Sequence, residues 1–574
     1  MKQNRSLYDS PATLWLIAIV FTMFWFYMLG ARTLVPTDEG RYAEMAREMV
    51  ATGDWITLRL NGIKYFEKPP LQNWMNAISF ELFGLGEWQA RLWTGLCGLL
   101  GLAVTAYTGA KVFNRRVGIS TALILGSSFF WFGLGHINTL DMGLSGMMTL
   151  SLCGLLLAQR SNANETEQRY GMLLCWIGMA LASMSKGPIG LLLPGAVLVI
   201  YTLITRDWAL WTRLHLGKGL IIFFLITAPW FILVWQKNPE HPYFFFIHEN
   251  FQRFTSKVHH REGAWYYFVP MLILGIMPWL GLLLQGLWSG LREQTTGKSF
   301  QPKKMLLIWS VFIFVFFSIS GSKLPSYILP IFPALALLTA AQLERTSTLS
   351  LSIATGLFGL IGLAGLFFAG KVAGLTDDAY EIPLYQAYVP WVYAAATIAF
   401  AGGILASYFA SRNKDTAIII LATASFFVWQ ALFIGHEPLG RYGAGLQHIA
   451  EIQAELKPDT QIFAVGRYEQ SLPFYLRRTV TLVEHPDEMA FGLGIQPELW
   501  IPKREDFVKK WREDNLNGKA DIAILRTDIY AAFVKQELPM RVVAEDPKRV
   551  IVSNLLTKTI NPMNSANPTT GIKK

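Results

Sequence analysis

Along this chain, runs of 15 to 24 residues pass again and again with no charge or almost none. About 20 residues at about 1.5 Å each cross the roughly 30 Å hydrocarbon core of a bilayer. In lipid such a segment must satisfy its own backbone, which a helix does. The runs are 12–31, 92–110, 117–135, 142–158, 171–185, 187–205, 219–236, 264–287, 305–320, 326–341, 349–370, 390–410 and 416–435. They predict an α-helical polytopic membrane protein with about 13 transmembrane helices. The balance of 52% hydrophobic to 16% charged residues agrees, because soluble chains carry nearer a quarter charged. The run 12–31 follows "MKQNRSLYDS" as the core of a secretory leader would, but it is long enough to span. No small-x-small site precedes Arg32, so it reads as a retained first span. The segment 71–86 holds Gln72, Asn73, Asn76 and Glu81, each costly in lipid, and reads as a helix along the surface.

Loop charge sets the sides. With the N-terminus cytoplasmic, the inner loops are "KVFNRR", "QRSNANETEQR", "RDWALWTRLHLGK", "REQTTGKSFQPKK", "LERT" and "SRNKD", and every one carries Lys or Arg. The outer "HINTLD" and "AGLTDDAYEIPLYQAY" carry neither. That asymmetry is the positive-inside pattern, and it accounts for the net charge of +10 without any nucleic-acid partner. It places 32–91, Asp141, Lys186, the loop 237–263 and everything after residue 435 on the outer face. Cys97, Cys153 and Cys175 lie inside apolar runs and read as packing residues.

From 436 to 574 the chain changes character. Short apolar runs "QIFAVG", "TVTLV", "DIAILR" and "RVIVSN" alternate with helix-like "HIAEIQAEL" and "REDFVKKWRED", predicting a soluble α/β domain beyond the membrane domain 1–435. The tail "INPMNSANPTTGIKK" has the composition of a disordered end.

The densest charge follows the first span, in the outer juxtamembrane segment 32–91. "EGRYAEMAREMV" reads as an amphipathic surface helix with Tyr42, Met45, Ala46 and Met49 on one face and Arg41, Glu44, Arg47 and Glu48 on the other, solvated and structural. Thr37 or Asp38 suits the N-cap, but capping does not use both Asp38 and Glu39. Glu67 and Lys68 precede a double proline that holds the backbone extended. With Tyr42 and Tyr65 these groups make a polar cavity floor at a membrane edge, where charge marks a substrate path. Other outer span ends add Asp141, Lys186, Lys323 and Tyr327, and "FFFIHENFQRF" adds His248, Glu249 and Arg253. A lone lysine such as Lys186 also suits snorkelling to headgroups. Cations hold phosphate and carboxylates face a sugar or hydroxyl, so the set fits a phosphate-bearing lipid.

"TDEGRYAEMAREMVATGDW" and "GIKYFEKPPLQNW", with "TLDMG", "MSKG", "FQRF" and "KLPSYIL", resemble the bacterial aminoarabinose transferases. These are a branch of the polyprenyl-phosphate-sugar-dependent transferases that includes protein O-mannosyltransferases. The resemblance runs from about residue 12 to 335, and the C-terminal domain matches only in kind. It implies a GT-C type fold in the bacterial inner membrane and a periplasmic site. It also implies inverting transfer of 4-amino-4-deoxy-L-arabinose from undecaprenyl phosphate to lipid A phosphates, a polymyxin-resistance function. On this chain it implies Asp38 as the essential carboxylate and Asp141 as the second. Lys68, Lys186 and Arg253 become phosphate or substrate contacts, and Glu67 and His248 become ligands of a divalent metal such as zinc. One carboxylate and one imidazole are fewer donors than a zinc site takes. Two other functions fit the same pattern less well. A protein or polysaccharide glycosyltransferase of the same fold would use a hydroxyl acceptor. A lipid flippase or transporter would carry its polar groups near the midplane, often on internal repeats, and none is found here.

Overall fold

The computed structural model describes residues 7–252, 263–292 and 300–556. Arg253 and the tail after residue 556 lie outside the described residues. The chain opens with the first span, α1 (Pro11–Leu29), then the short α2 (Asp38–Thr52), a hairpin of β1 (Arg59–Leu60) and β2 (Ile63–Lys64), and α3 (Leu71–Phe83). Longer apolar helices follow: α4 (Glu87–Val112), α5 (Arg115–Ser127) continued by α6 (Phe129–Leu134), α7 (Leu140–Gln159), α8 (Glu165–Lys186), α9 (Ile189–Thr205) and α10 (Leu216–Lys237). Further helices run over Pro302–Ile319, Phe332–Leu343, Thr348–Phe368, Ile382–Ala410 and Lys414–Gly435.

Every expected apolar run is a helix or a helix broken once. Among the described residues, nine helices are long and apolar enough to cross a membrane, so length and composition do not by themselves fix the count at thirteen. The run 264–287 is not one straight span. Phe268–Gly275 and Leu280–Arg292 meet at 109°, with Pro278 in the break, where it donates no backbone bond and disfavours helix in the residue before it. The helix Ile189–Thr205 is shorter than a full span. At 13 residues, about 20 Å, α3 is too short to cross, as its polar side chains predict.

Every residue of α7 is buried, so it is the central post of the bundle. It meets α8 through facing glycines. A Cβ on Gly154 would lie 2.7 Å from the Gly171 carbonyl, and one on Gly171 would lie 2.8 Å from the Ala158 nitrogen, so only small residues allow this approach. Cys97, Cys153 and Cys175 are free, buried and part of this core.

The loops sort to two ends. At one end Asn114 donates to Glu344 at 2.9 Å, Lys414 to the Thr346 carbonyl at 2.6 Å, and Arg116 pairs with Asp415. These are three of the loops assigned to the cytoplasmic side by charge. The opposite end carries α2, the hairpin, α3 and the C-terminal domain.

That domain is a six-stranded sheet of β3 (Ile462–Val465), β4 (Thr481–Val483), β5 (Trp500–Ile501), β6 (Ile522–Leu525), β7 (Arg541–Asp546) and β8 (Arg549–Ser553). The order is β5-β4-β3-β6-β8-β7, with the first four strands parallel and β8 antiparallel to both neighbours. Strand alternation splits its two cores. Phe463 and Val465 face Phe507, Trp511 and Phe533 of the helices Arg504–Leu516 and Thr527–Lys535. Ile462 and Ala464 face the other way, into a buried cluster with Tyr42, Met45 and Met49 of α2.

This corrects one expectation. The charged face of α2 is not solvated: Arg41, Glu44 and Glu48 are buried, because the C-terminal domain covers the helix. Gly40 allows the approach, since a Cβ there would stand 2.8 Å from the backbone nitrogen of Ser471.

Candidate active site

The start of α7, the end of α8, the segment before α3 and the 3₁₀ turn Pro325–Ile331 converge on one pocket of about 700 Å³. Its wall carries Lys68, Asp141, Lys186, Glu249, Ser322 and Tyr327. Asp141 opens α7 and is ion-paired with Lys186 at the end of α8. Its second oxygen accepts from Ser326 Oγ at 2.9 Å. The Lys186 ammonium also lies 4.6 Å from the centre of the Tyr327 ring, a cation–π distance. Lys186 is therefore not snorkelling; it is held over the pocket by a carboxylate and a ring. Lys68 lies 3.2 Å from Glu249 and 3.7 Å from Glu67. Lys323 is buried and donates to the Ser320 carbonyl at 2.8 Å, behind a wall that includes Ser320 and Ser322.

A second polar cluster adjoins the first through Glu67. Asp38 is the first residue of α2, and Thr37 occupies the N-cap without a side-chain bond. The Asp38 carboxylate is 40% exposed and 3.2 Å from Arg41. Arg41 also donates to the Tyr65 hydroxyl at 3.1 Å and to Gln470 at 2.7 Å, and it pairs with Glu488. Tyr42 and Tyr65 are buried beside it. Burial pushes the Glu67 carboxyl up; Lys68 pulls it down, Glu249 and Glu488 push it further up, and Arg41 opposes them. Glu67 thus feels both clusters.

Glu39 is the exception among the expected substrate contacts. It is fully buried, and both oxygens are engaged. Arg91 donates to them at 2.6 and 2.9 Å, Arg32 at 3.1 Å, and the backbone nitrogens of Val35 and Asn138 at 2.9 and 2.8 Å. Burial alone would raise the carboxyl, but the two guanidiniums outweigh it and hold it at about 2. Asn138 also donates to the Glu39 carbonyl at 3.1 Å, and its own side-chain oxygen accepts from Gln72 and Asn76 of α3, both at 2.9 Å. Glu39 is therefore a clasp and not a ligand. It ties the residue after Asp38 to the residue three before Asp141.

His248 stands with Nδ1 3.6 Å from Glu249. Among the described residues no three His, Cys, Asp or Glu side chains gather as a metal site would need. Glu67 and His248 do not make a zinc site on their own. The Glu39 clasp, Arg41 and Glu488 escaped the sequence reading. Arg91 carried a signal, a charge four residues into an apolar helix that must find a partner. Glu488 carried none, being 447 residues from Arg41.

Beside the pocket, α8, α9, α10 and the helix Tyr243–Gln252 enclose an apolar groove of about 960 Å³. Gly187, Leu191, Phe224, Phe231, Trp235 and Phe246 line it. Gly187 follows Lys186, so the groove begins where the pocket ends.

Comparison with known proteins fits this layout. A model of the dolichyl-phosphate-mannose-protein mannosyltransferases matches residues 67–235, and one of the aminoarabinose transferase C-terminal domain matches 448–554. The similarity thus extends past residue 335 into the domain that resembled only in kind. The undecaprenyl phosphate-α-4-amino-4-deoxy-L-arabinose arabinosyl transferase of Edwardsiella ictaluri is 30% identical over 536 residues, 89% of this chain and 93% of its own. A second such transferase of Proteus mirabilis is 34% identical over 57% of this chain and 58% of its own. The crystal structure of ArnT from Cupriavidus metallidurans bound to undecaprenyl phosphate superposes with a TM-score of 0.90 at 40% identity. It covers 96% of this chain and 99% of that one.

Proposed function

Since the chain belongs to the aminoarabinose transferase family, we infer that it moves 4-amino-4-deoxy-L-arabinose from undecaprenyl phosphate to a phosphate of lipid A. The observation that carries this reading is the junction at Lys186 and Gly187. There a pocket with two lysines and two carboxylates adjoins an apolar groove suited to a prenyl chain. The chain is a multi-pass membrane protein, and we place it in the inner membrane with the pocket and the C-terminal domain in the periplasm.

The leaving group is a lipid phosphate, anionic and stable. It needs cations where charge develops, not a strong acid. Lys68 and Lys186 supply them, and Arg253 joins them by family resemblance. An incoming phosphate competes with Asp141 for Lys186, so donor binding frees that carboxylate beside the sugar. The transition state has oxocarbenium character, which a carboxylate stabilises. Asp141 suits that role, and Asp38 suits holding the sugar through its cationic amino group. A lipid A phosphate attacks already ionised, so no general base is required, and in-line attack inverts the anomeric centre. Glu67 and His248 would hold a divalent ion only with further ligands, and no step here depends on one.

The test is transfer in a defined system. Purified protein, undecaprenyl phosphate-linked aminoarabinose and lipid A are incubated, and lipid A is weighed by mass spectrometry. The expected result is lipid A carrying the pentose, and restored polymyxin resistance in a strain lacking its own transferase. Transfer to a hydroxyl-bearing peptide with none to lipid A would overturn the reading.

A further inference from the structure

A second cavity, larger and of different character, opens where the juxtamembrane segment meets the C-terminal domain. It encloses about 1470 Å³, and its walls carry four guanidiniums. Arg47 and Arg59 come from the membrane-side segment, while Arg477 and Arg478 come from the turn between the helix Leu472–Leu476 and β4. Neither unit builds this cleft alone. None of these residues belongs to the transfer site described above.

We propose that this cleft is a second anion site that receives the phosphate-bearing saccharide headgroup of the acceptor, away from the reacting phosphate.

Several observations converge on it. Arg477 makes no side-chain hydrogen bond or ion pair among the described residues and is exposed on the cleft wall. It also sits in the left-handed region at φ 56°, which a non-glycine residue rarely adopts. Arg47 and Arg478 are held in place from behind. Arg47 is bidentate on the buried Glu44, at 2.6 and 2.7 Å, and Arg478 donates to the Lys457 carbonyl at 2.7 Å. A guanidinium offers five donors, so each keeps some for a ligand. Among the described residues the wall carries one carboxylate, Glu48, which is buried and accepts from the Gly62 nitrogen at 2.7 Å. Burial pushes its carboxyl up. Thr52, Thr460, Thr479 and Thr481 complete a polar wall, which suits sugar hydroxyls and offers little to acyl chains.

Size and position select the source. The cleft is far larger than a single phosphate needs and has room for a saccharide headgroup. Arg59 pairs across the hairpin with Lys64, so both side chains leave the same face. Lys64 reaches Glu240, just past the end of α10, at 2.7 Å. That sets the cleft level with the helix ends, at headgroup height. Along α2, Asp38 and Arg47 are nine residues apart, about 13 Å. A multiply phosphorylated saccharide could therefore present one phosphate for transfer and rest another here. This last assignment depends on lipid A being the acceptor.

The test uses full-length protein in detergent and a soluble probe, the diphosphorylated glucosamine disaccharide obtained by deacylating lipid A. Wild-type protein should bind it at least tenfold tighter than the dephosphorylated disaccharide or inorganic phosphate. Arg477→Gln should weaken binding several-fold, and Arg59→Gln with Arg477→Gln tenfold or more. Lys509→Gln, at an exposed position of the helix Arg504–Leu516, should leave it unchanged. In transfer assays the double variant should raise KM for lipid A at least fivefold while KM for the donor and kcat hold. Equal binding by wild type and both arginine variants overturns the proposal, as does inorganic phosphate binding as tightly as the saccharide. If wild type binds the probe through these arginines yet transfers nothing to lipid A, the acceptor reading fails and the phosphosaccharide site stands.

Discussion

Glu39→Gln removes one negative charge from a site built around it. Two guanidiniums and two backbone nitrogens converge on that carboxylate, out of contact with water. Its pKa falls from the ordinary 4.5 to about 2. At about 1.4 kcal/mol per pH unit, the ionised clasp contributes about 3 kcal/mol. Breaking a buried ion pair by neutralising one partner costs about 3–5 kcal/mol, so two routes agree. The loss falls on the joint between the Asp38 and Asp141 segments. Hydrogen exchange of peptides spanning 31–42 and 134–142 should accelerate by on the order of 10²-fold in the variant. Because the folded pKa is depressed, the contribution is complete above the unfolded value near 4.5 and fades as pH falls through about 2. The gap between wild type and variant should therefore narrow on acidification below about pH 4.5 and stay constant above it. Exchange within about threefold of wild type at neutral pH would refute the clasp.

Gly40→Val should push Ser471 away from α2, costing about 1–3 kcal/mol and speeding tryptic release of the C-terminal domain. Asp141→Asn strips Lys186 of its counter-charge and removes the carboxylate beside the sugar. Turnover measured at saturating donor should fall by about 10²-fold or more. Lys68→Gln should raise KM for the lipid-linked donor and lower kcat, since its charge serves both bound and leaving phosphate; an unchanged kcat/KM would exclude it from the site.

The membrane architecture was legible because hydropathy integrates over some 20 residues, and a run such as 142–158 has few other fates. Asp141, Lys186 and Tyr327 were legible for the same reason in reverse, as polar side chains at apolar span ends, and Lys68 stood out before its double proline. The C-terminal strands β3, β4, β6 and β8 stood out as short apolar runs, whereas β5 and β7 are short or half-exposed and did not. The helix α2 misled most. Its amphipathic pattern says that one face is apolar, but not that an incoming domain will bury the other. Arg41 is indistinguishable in sequence from a solvated surface arginine until Glu488 and Gln470 arrive from the far end of the chain. Glu39 likewise looked like half of an acidic pair facing substrate, because Arg32 and Arg91 converge on it only in three dimensions.

The central claim is that Lys68, Asp141 and Lys186 form the seat of the lipid phosphate, with the prenyl chain in the groove beyond Gly187. The most direct measurement is cryo-electron microscopy of this protein with undecaprenyl phosphate. The account predicts phosphate density within hydrogen-bond reach of Lys68 or Lys186, and a chain running along Phe224 and Phe231. Phosphate density in the arginine cleft instead, or a chain on another face of the bundle, would contradict it.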